Sequence, residues 1–180
     1  MKKWISISVF ALFTITTITA QDAFLKIEGV VGESTDREHK DWINLASFSQ
    51  ALSVHQPGGS ATGATRRRGS VILEDITCVK ELDKSSPKIA ESVCLGKVFP
   101  KVEIHLTKSV GSGERVTYYA YELKNVMVTS YQINSSGGDV PVEEMSLNFE
   151  EIKVTYTEMD RQGRKKGNVE YSWKVEEGRK

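Results

Sequence analysis

Val169, Tyr171, Trp173 and Val175 follow one another at every second position, and in an extended chain that spacing puts all four side chains on one face. The same period of two recurs in Val102-Ile104-Leu106, Met145-Leu147-Phe149 and Ile152-Val154-Tyr156. β-Branched and aromatic residues dominate these runs, as suits a half-buried pleated surface. Helical spacing is confined to one segment, so the pattern predicts a mainly β chain.

Three further regions extend it. Phe24 to Val30 alternates and ends in a glycine-containing turn, as a half-buried strand does. In Ile43 to His55, Ile43 and Leu45 share one phase and Phe48 takes the other. One extra residue moves side chains to the opposite face, so this slip predicts a bulge near Ala46-Ser47. Val71 to Val79 is a third region, and Val116 to Ile133 is a long one rich in Tyr and Val. The single helix signal runs from Ser85 or Ser86, either of which can cap a first turn, through Pro87 to a left-handed stop at Gly96. Ile89, Val93 and Cys94 are expected on its apolar stripe. The fold class expected is a β-barrel or sandwich of antiparallel strands with one short side helix.

The first twenty residues stand apart. Lys2 and Lys3 precede an apolar run from Trp4 to Ile15, then a threonine-rich stretch ending in Ala20. This is the plan of a secretory signal peptide. The 17 uncharged residues after Lys3 include six Ser or Thr, too few apolar positions for a span of roughly 20 residues. Cleavage after Ala20 is expected, although Ile18 is larger than the usual small residue three positions before a cut. The mature domain would be residues 21–180, exported to the periplasm or beyond, with no stable membrane insertion. No repeat or linker divides it. It would carry 22 basic against 24 acidic residues, and this near-neutral balance argues against a general nucleic-acid binder.

Motifs for catalysis are missing. Gly96-Lys97-Val98 lacks the upstream glycine and the hydroxyl of a phosphate loop, and no Gly-x-Ser-x-Gly pentapeptide occurs. His39, His55 and His105 lie in different elements without metal-ligand spacing. Glu143-Glu144 and Glu150-Glu151 point to opposite faces of a strand and read as solvated. No catalytic residue, cofactor or metal is therefore assigned. Pro57 to Gly69 is a polar loop with four glycines, among them Gly58 and Gly59, and with Arg66-Arg67-Arg68. No aromatic residues interleave with the arginines to stack bases, which leaves a solvated tip or a protein contact. Asn134-Ser135-Ser136 matches an N-glycosylation sequon. Cys78 and Cys94 bound a 17-residue stretch. In an exported chain they form either a disulfide or two buried thiols.

Several segments taken in order resemble the haemolysin-coregulated protein (Hcp) family, the tube protein of the bacterial type VI secretion system. They are Phe24 to Gly29 with Gly32-Glu33-Ser34-Thr35-Asp36 and His39; Asp83 to Pro87 with Cys94 and Gly96-Lys97; Val128 to Tyr131; Gly137-Gly138-Asp139; Pro141 to Glu143; Ser146 to Ile152; and Gln162-Gly163 with Trp173-Lys174-Val175. The resemblance runs from about residue 23 to 176. It implies a β-barrel with one side helix, homohexameric rings stacked head to tail, and partners in a sheath, a tip and effector proteins held inside the ring. It implies no enzyme. It also implies that the loop carrying Gly58, Gly59 and Arg66 to Arg68 reaches a neighbouring subunit or ring. The family's tube proteins leave through the machine itself and use no signal peptide. A second reading is therefore an exported binding module of the same fold that acts without tube assembly.

Overall fold

The computed structural model describes residues 21–55, 70–110, 114–138, 140–160 and 162–175. The expected signal peptide and the loop carrying Gly58, Gly59 and Arg66 to Arg68 lie outside the described residues.

Among the described residues, eleven strands and one helix follow in the order β1 (Gln21–Ile27), β2 (Ile43–Leu45), β3 (Ser47–Ser49), β4 (Leu52–His55), β5 (Ser70–Leu73), β6 (Ile76–Glu81), α1 (Ser86–Leu95), β7 (Val98–Ser109), β8 (Arg115–Asn134), β9 (Val142–Asn148), β10 (Glu151–Met159) and β11 (Lys165–Lys174). All pairings are antiparallel. The main sheet runs β2-β1-β7-β8-β9-β6-β3, with β10 and β11 branching from β8. The mainly β fold with one side helix is the expected class.

The bulge expected near Ala46-Ser47 is corrected: the slip between Leu45 and Phe48 is where the chain changes partner strand. β2 pairs with β1, β3 pairs with β6, and only Ala46 separates them. Its amide donates to the Val79 carbonyl at 2.8 Å. The two ends of the sheet path are thus consecutive in sequence, and the sheet curls into sandwich-like layers, as strands that turn a corner by a bend allow. The twenty-residue β8 serves both layers. Residues Tyr119 to Lys124 pair with β10, and Met127 to Asn134 pair with β9.

One core fills the interior, centred on Leu25, Ile27, Ile43, Ile76, Ile104, Leu123, Met145, Leu147 and Ile152. Helix α1 lays Ile89 onto it. Gly96 ends the helix at φ 58°, and the amides of Gly96 and Lys97 close back on Val93 and Ser92 at 3.1 and 2.9 Å, as a left-handed stop does. Two expectations for this helix are corrected. Ser85 makes no side-chain cap, because its hydroxyl is bound to Asp83. Cys94 is exposed rather than on the apolar stripe. Ser92 takes the inward position by donating to the Ile89 carbonyl at 2.6 Å.

Candidate functional site

Strands β1, β7, β8, β10 and β11 form a continuous surface whose two faces differ in chemistry. On one face, cross-strand partners run in rows: Leu25, Ile104, Tyr121, Val154, Tyr171 and, beside it, Ala23, Leu106, Tyr119, Tyr156, Val169. On the other face, Lys101 bridges Glu103 and Glu122 at 3.1 Å each, Lys124 meets Glu151 at 2.8 Å and Lys153 meets Glu170 at 3.0 Å. Exposed pairs of this kind contribute little stability but keep that face in water. The apolar face is covered by the second layer over β1, β7, β8 and the inner part of β10, where Ile152 and Val154 are buried. At its far end Tyr156, Val169 and Tyr171 are exposed, Val169 to 72 %. The closing strand, whose strict alternation suggests a buried face, therefore leaves Val169 and Tyr171 uncovered among the described residues, while Trp173 and Val175 pack on the core.

A second uncovered apolar surface lies elsewhere. Among the described residues β4 and β5 pair only with each other, as Leu52↔Leu73 and Val54↔Val71. These four side chains share one face. Leu73 packs on the core, while Leu52 and Val54 are 53 % and 54 % exposed and Val71 is exposed as well. A two-stranded ribbon is marginally stable by itself in water. This arm leads into the segment with Gly58, Gly59 and Arg66 to Arg68, the residues expected at a subunit contact, which lie outside the described residues.

Beneath the helix is a charged cluster that strand periodicity does not announce. Lys80 and Glu143 face each other across β6 and β9 and are 0 % and 1 % exposed. The Lys80 ammonium binds Glu143, Asp83 at 2.8 Å, the Glu81 carbonyl at 2.8 Å and the Ser86 hydroxyl at 3.1 Å. Ser86 donates to Glu143 at 2.8 Å, and the Tyr131 hydroxyl donates to the other carboxylate oxygen. Burial, then the Glu143 carboxylate, pushes the Tyr131 phenol up. Burial works to raise Asp83, but Lys80 and Ser85 outweigh it and hold the carboxyl below its usual range. The reading of Glu143 as solvated is thus corrected: Lys80, 63 residues away, supplies the countercharge that makes burial tolerable. Lys80, Ser86 and Glu143 are buried and bonded to one another in this cluster, so it braces the helix against the sheet.

The histidines also meet. His39 Nε2 and His105 Nδ1 are 3.0 Å apart, and Asp36 binds His39 Nδ1 at 2.8 Å. Thr117 Oγ1 lies 3.4 Å from His39 Nε2. This superficially resembles an acid, a base and a hydroxyl in line, but the nitrogen is held by His105, and the buried His39 ring packs against Phe24 and Trp42. A substrate has no approach to it. Among the described residues no three ligating groups gather to hold a metal. Cys78 is a buried thiol and Cys94 an exposed one, both free.

Residues 24–156 match the family described as "Type VI secretion system effector, Hcp". The chain is 33 % identical over 158 residues to "Protein hcp1" of Pseudomonas aeruginosa, covering 87 % of this chain and 96 % of that protein. Among solved structures it is similar to one entitled "Structure of a type six secretion system protein", with TM-score 0.80, 26 % identity, and coverage of 89 % of this chain and 99 % of the other. Hcp1 from Salmonella typhimurium shares the fold, with TM-score 0.69, 23 % identity, and coverage of 88 % and 96 %. With three-quarters of its length inside that family's bounds, and one-third identity to Protein hcp1 over most of both chains, this chain belongs to the Hcp family of type VI secretion proteins.

Proposed function

We propose that this chain is the structural tube or ring component of a type VI secretion system, assembling into hexameric rings that stack and carry effector proteins. The observation that carries the reading is the pair of uncovered apolar surfaces, the β4–β5 arm and the outer end of β10–β11. They are different patches on one chain. Contact between them on successive copies is a heterologous interface, which propagates until rotation closes a ring. Hcp proteins are secreted structural components and not a known enzyme family, in keeping with a buried polar cluster that braces the fold. Arg66 to Arg68 would meet acidic groups on the next subunit or ring. Sheath and tip proteins would be the further partners, with no nucleic acid.

The basic start and apolar run of residues 1–20 favour a second reading, a domain of residues 21–180 exported through a cleaved signal peptide and acting as a binding module outside the cytoplasm. Among the described residues no helix is long and apolar enough to cross a membrane. Native mass and negative-stain images of residues 21–180 separate the two. Six protomers with ring views support the tube component. A monomer at all concentrations supports the exported module.

A further inference from the structure

The segment between β1 and β2 folds onto itself. Gly32 donates to the Asp41 carbonyl at 2.8 Å, Ser34 to Trp42 at 2.9 Å, Asp41 to Ser34 at 2.9 Å and Trp42 to His39 at 3.1 Å. Asp36 accepts from the amides of Glu38 and His39 at 3.0 Å each. The loop is therefore a compact unit with its own hydrogen bonds, resting on the polar side of β1 and β7. What it covers there is apolar. Phe24 points to that side, opposite His105 in the ladder, and is buried because the His39 ring stacks on it at 4.4 Å and 5°.

The innermost side-chain ties between loop and sheet are the hydrogen bond of His39 with the half-buried His105 and its 3.4 Å approach to Thr117 Oγ1. The other ties lie toward solvent: Glu33 accepting the Lys84 amide at 3.0 Å, Asp41 with Lys84 at 3.8 Å, and Asp36 with Arg115 at 4.0 Å. We propose that residues 31–42 form an acid-released flap, held over β1 and β7 by the His39–His105 hydrogen bond and let go when a further proton leaves neither facing nitrogen able to accept.

The bond needs one facing nitrogen to donate and the other to accept. A second proton puts an N–H on both, leaves no acceptor, and brings two like charges into contact in a half-buried site. The surrounding charges are those of Asp36 in the flap, Arg115 on β8 with its partner Asp22 on β1, Lys26 on β1, and Lys101 and Glu103 on β7. Burial first, then His39, with Lys101 and Lys26 opposing Glu103, hold His105 neutral down to about 4. The opened flap frees His105 to protonate near its ordinary value of roughly 6.5. The closed state thus keeps its full advantage above that value and loses it as pH falls toward 4. Burial works to raise Asp36, but its bonds from His39 and the loop amides hold it below the usual carboxylate range. It therefore stays charged through this window, and the flap leaves as an intact unit, uncovering Phe24 and Trp42.

In the full chain carrying Trp4→Phe and Trp173→Phe, Trp42 is the remaining indole and reports the flap. Between pH 7 and 4 its emission is expected to shift to the red before any loss of far-ultraviolet circular dichroism. His105→Gln, which keeps hydrogen-bonding groups but takes no charge, is expected to move that midpoint by at least about one pH unit or abolish it. Coincidence of emission and dichroism changes in both proteins overturns the proposal, as does an unmoved midpoint or no emission change above pH 4. If His105→Gln does not fold, the imidazole signals of the parent decide. Protonation of His105 in the same step as the emission change supports release, and protonation at a different pH overturns it.

Discussion

Lys80 and Glu143 stand directly opposite each other on neighbouring strands, each sealed from water and each completing the other's charge. Removing one partner strands the other in a medium that cannot solvate it. Lys80→Met or Glu143→Leu alone should cost about 3–5 kcal/mol, whereas the double substitution should cost markedly less than the sum. Urea unfolding of the three variants gives this coupling directly. Equal and additive losses would show that the two charges do not depend on each other.

Tyr131 donates to the same carboxylate. Tyr131→Phe removes one hydrogen bond to a charged group and should cost about 1.5–3 kcal/mol. The unfolding midpoint should fall with an unchanged slope, since no surface is added to the transition.

The two thiols should differ in reactivity. Burial pushes the Cys78 thiol up to about 12, while Cys94 is exposed on α1. Because the thiolate is the reacting form, a thiol reagent at pH 8 should count one group in the folded protein and two after denaturation. A count of none under non-reducing denaturation would reveal a disulfide instead.

Assembly should respond to charge on either uncovered apolar surface. Val54→Glu on the arm and Val169→Glu on β11 each replace an exposed apolar side chain, so the protomer should keep its thermal midpoint within a few degrees. A charge desolvated at a contact should weaken association by at least about tenfold, read as native mass against concentration. Replacing Arg66, Arg67 and Arg68 together with alanine should weaken ring stacking and leave the fold intact. Unchanged tube length in images would reject a stacking role for them.

Gly32 is a packing constraint rather than a flexible joint. A Cβ there would collide with the Trp42 carbonyl, which also accepts the Ser34 amide. Gly32→Ala should destabilise the loop by about 1–3 kcal/mol. Amide exchange should rise at Ser34 and Asp41 while protection in β7 and β8 holds.

How far such features could be read in advance depended on how local their causes are. The slip between Leu45 and Phe48 was legible because strand period is a nearest-neighbour property, and the structure turns it into a change of partner at Ala46. Gly96 was legible because a left-handed stop is decided within one turn. The burial of Glu143 was not, because Lys80 and Ser86, which make it tolerable, lie 63 and 57 positions away. Nor was the meeting of His39 with His105, separated by 66. Cys94 misled because on so short a helix a serine bonded to its own backbone can take the inward place.

The residues by themselves determined that this chain would be antiparallel strands with one helix stopped at Gly96, and their order was enough to suggest the family. Those are consequences of backbone geometry and side-chain period, which act over a few residues. Which apolar face stays uncovered was decided only by the tertiary structure. Val169 and Leu25 stand in the same kind of alternating run, yet one is exposed and the other sealed. The difference is the reach of the second layer, which covers β1 and stops short of β11's outer end. Burial is a property of what lies opposite, and strand period carries no record of that.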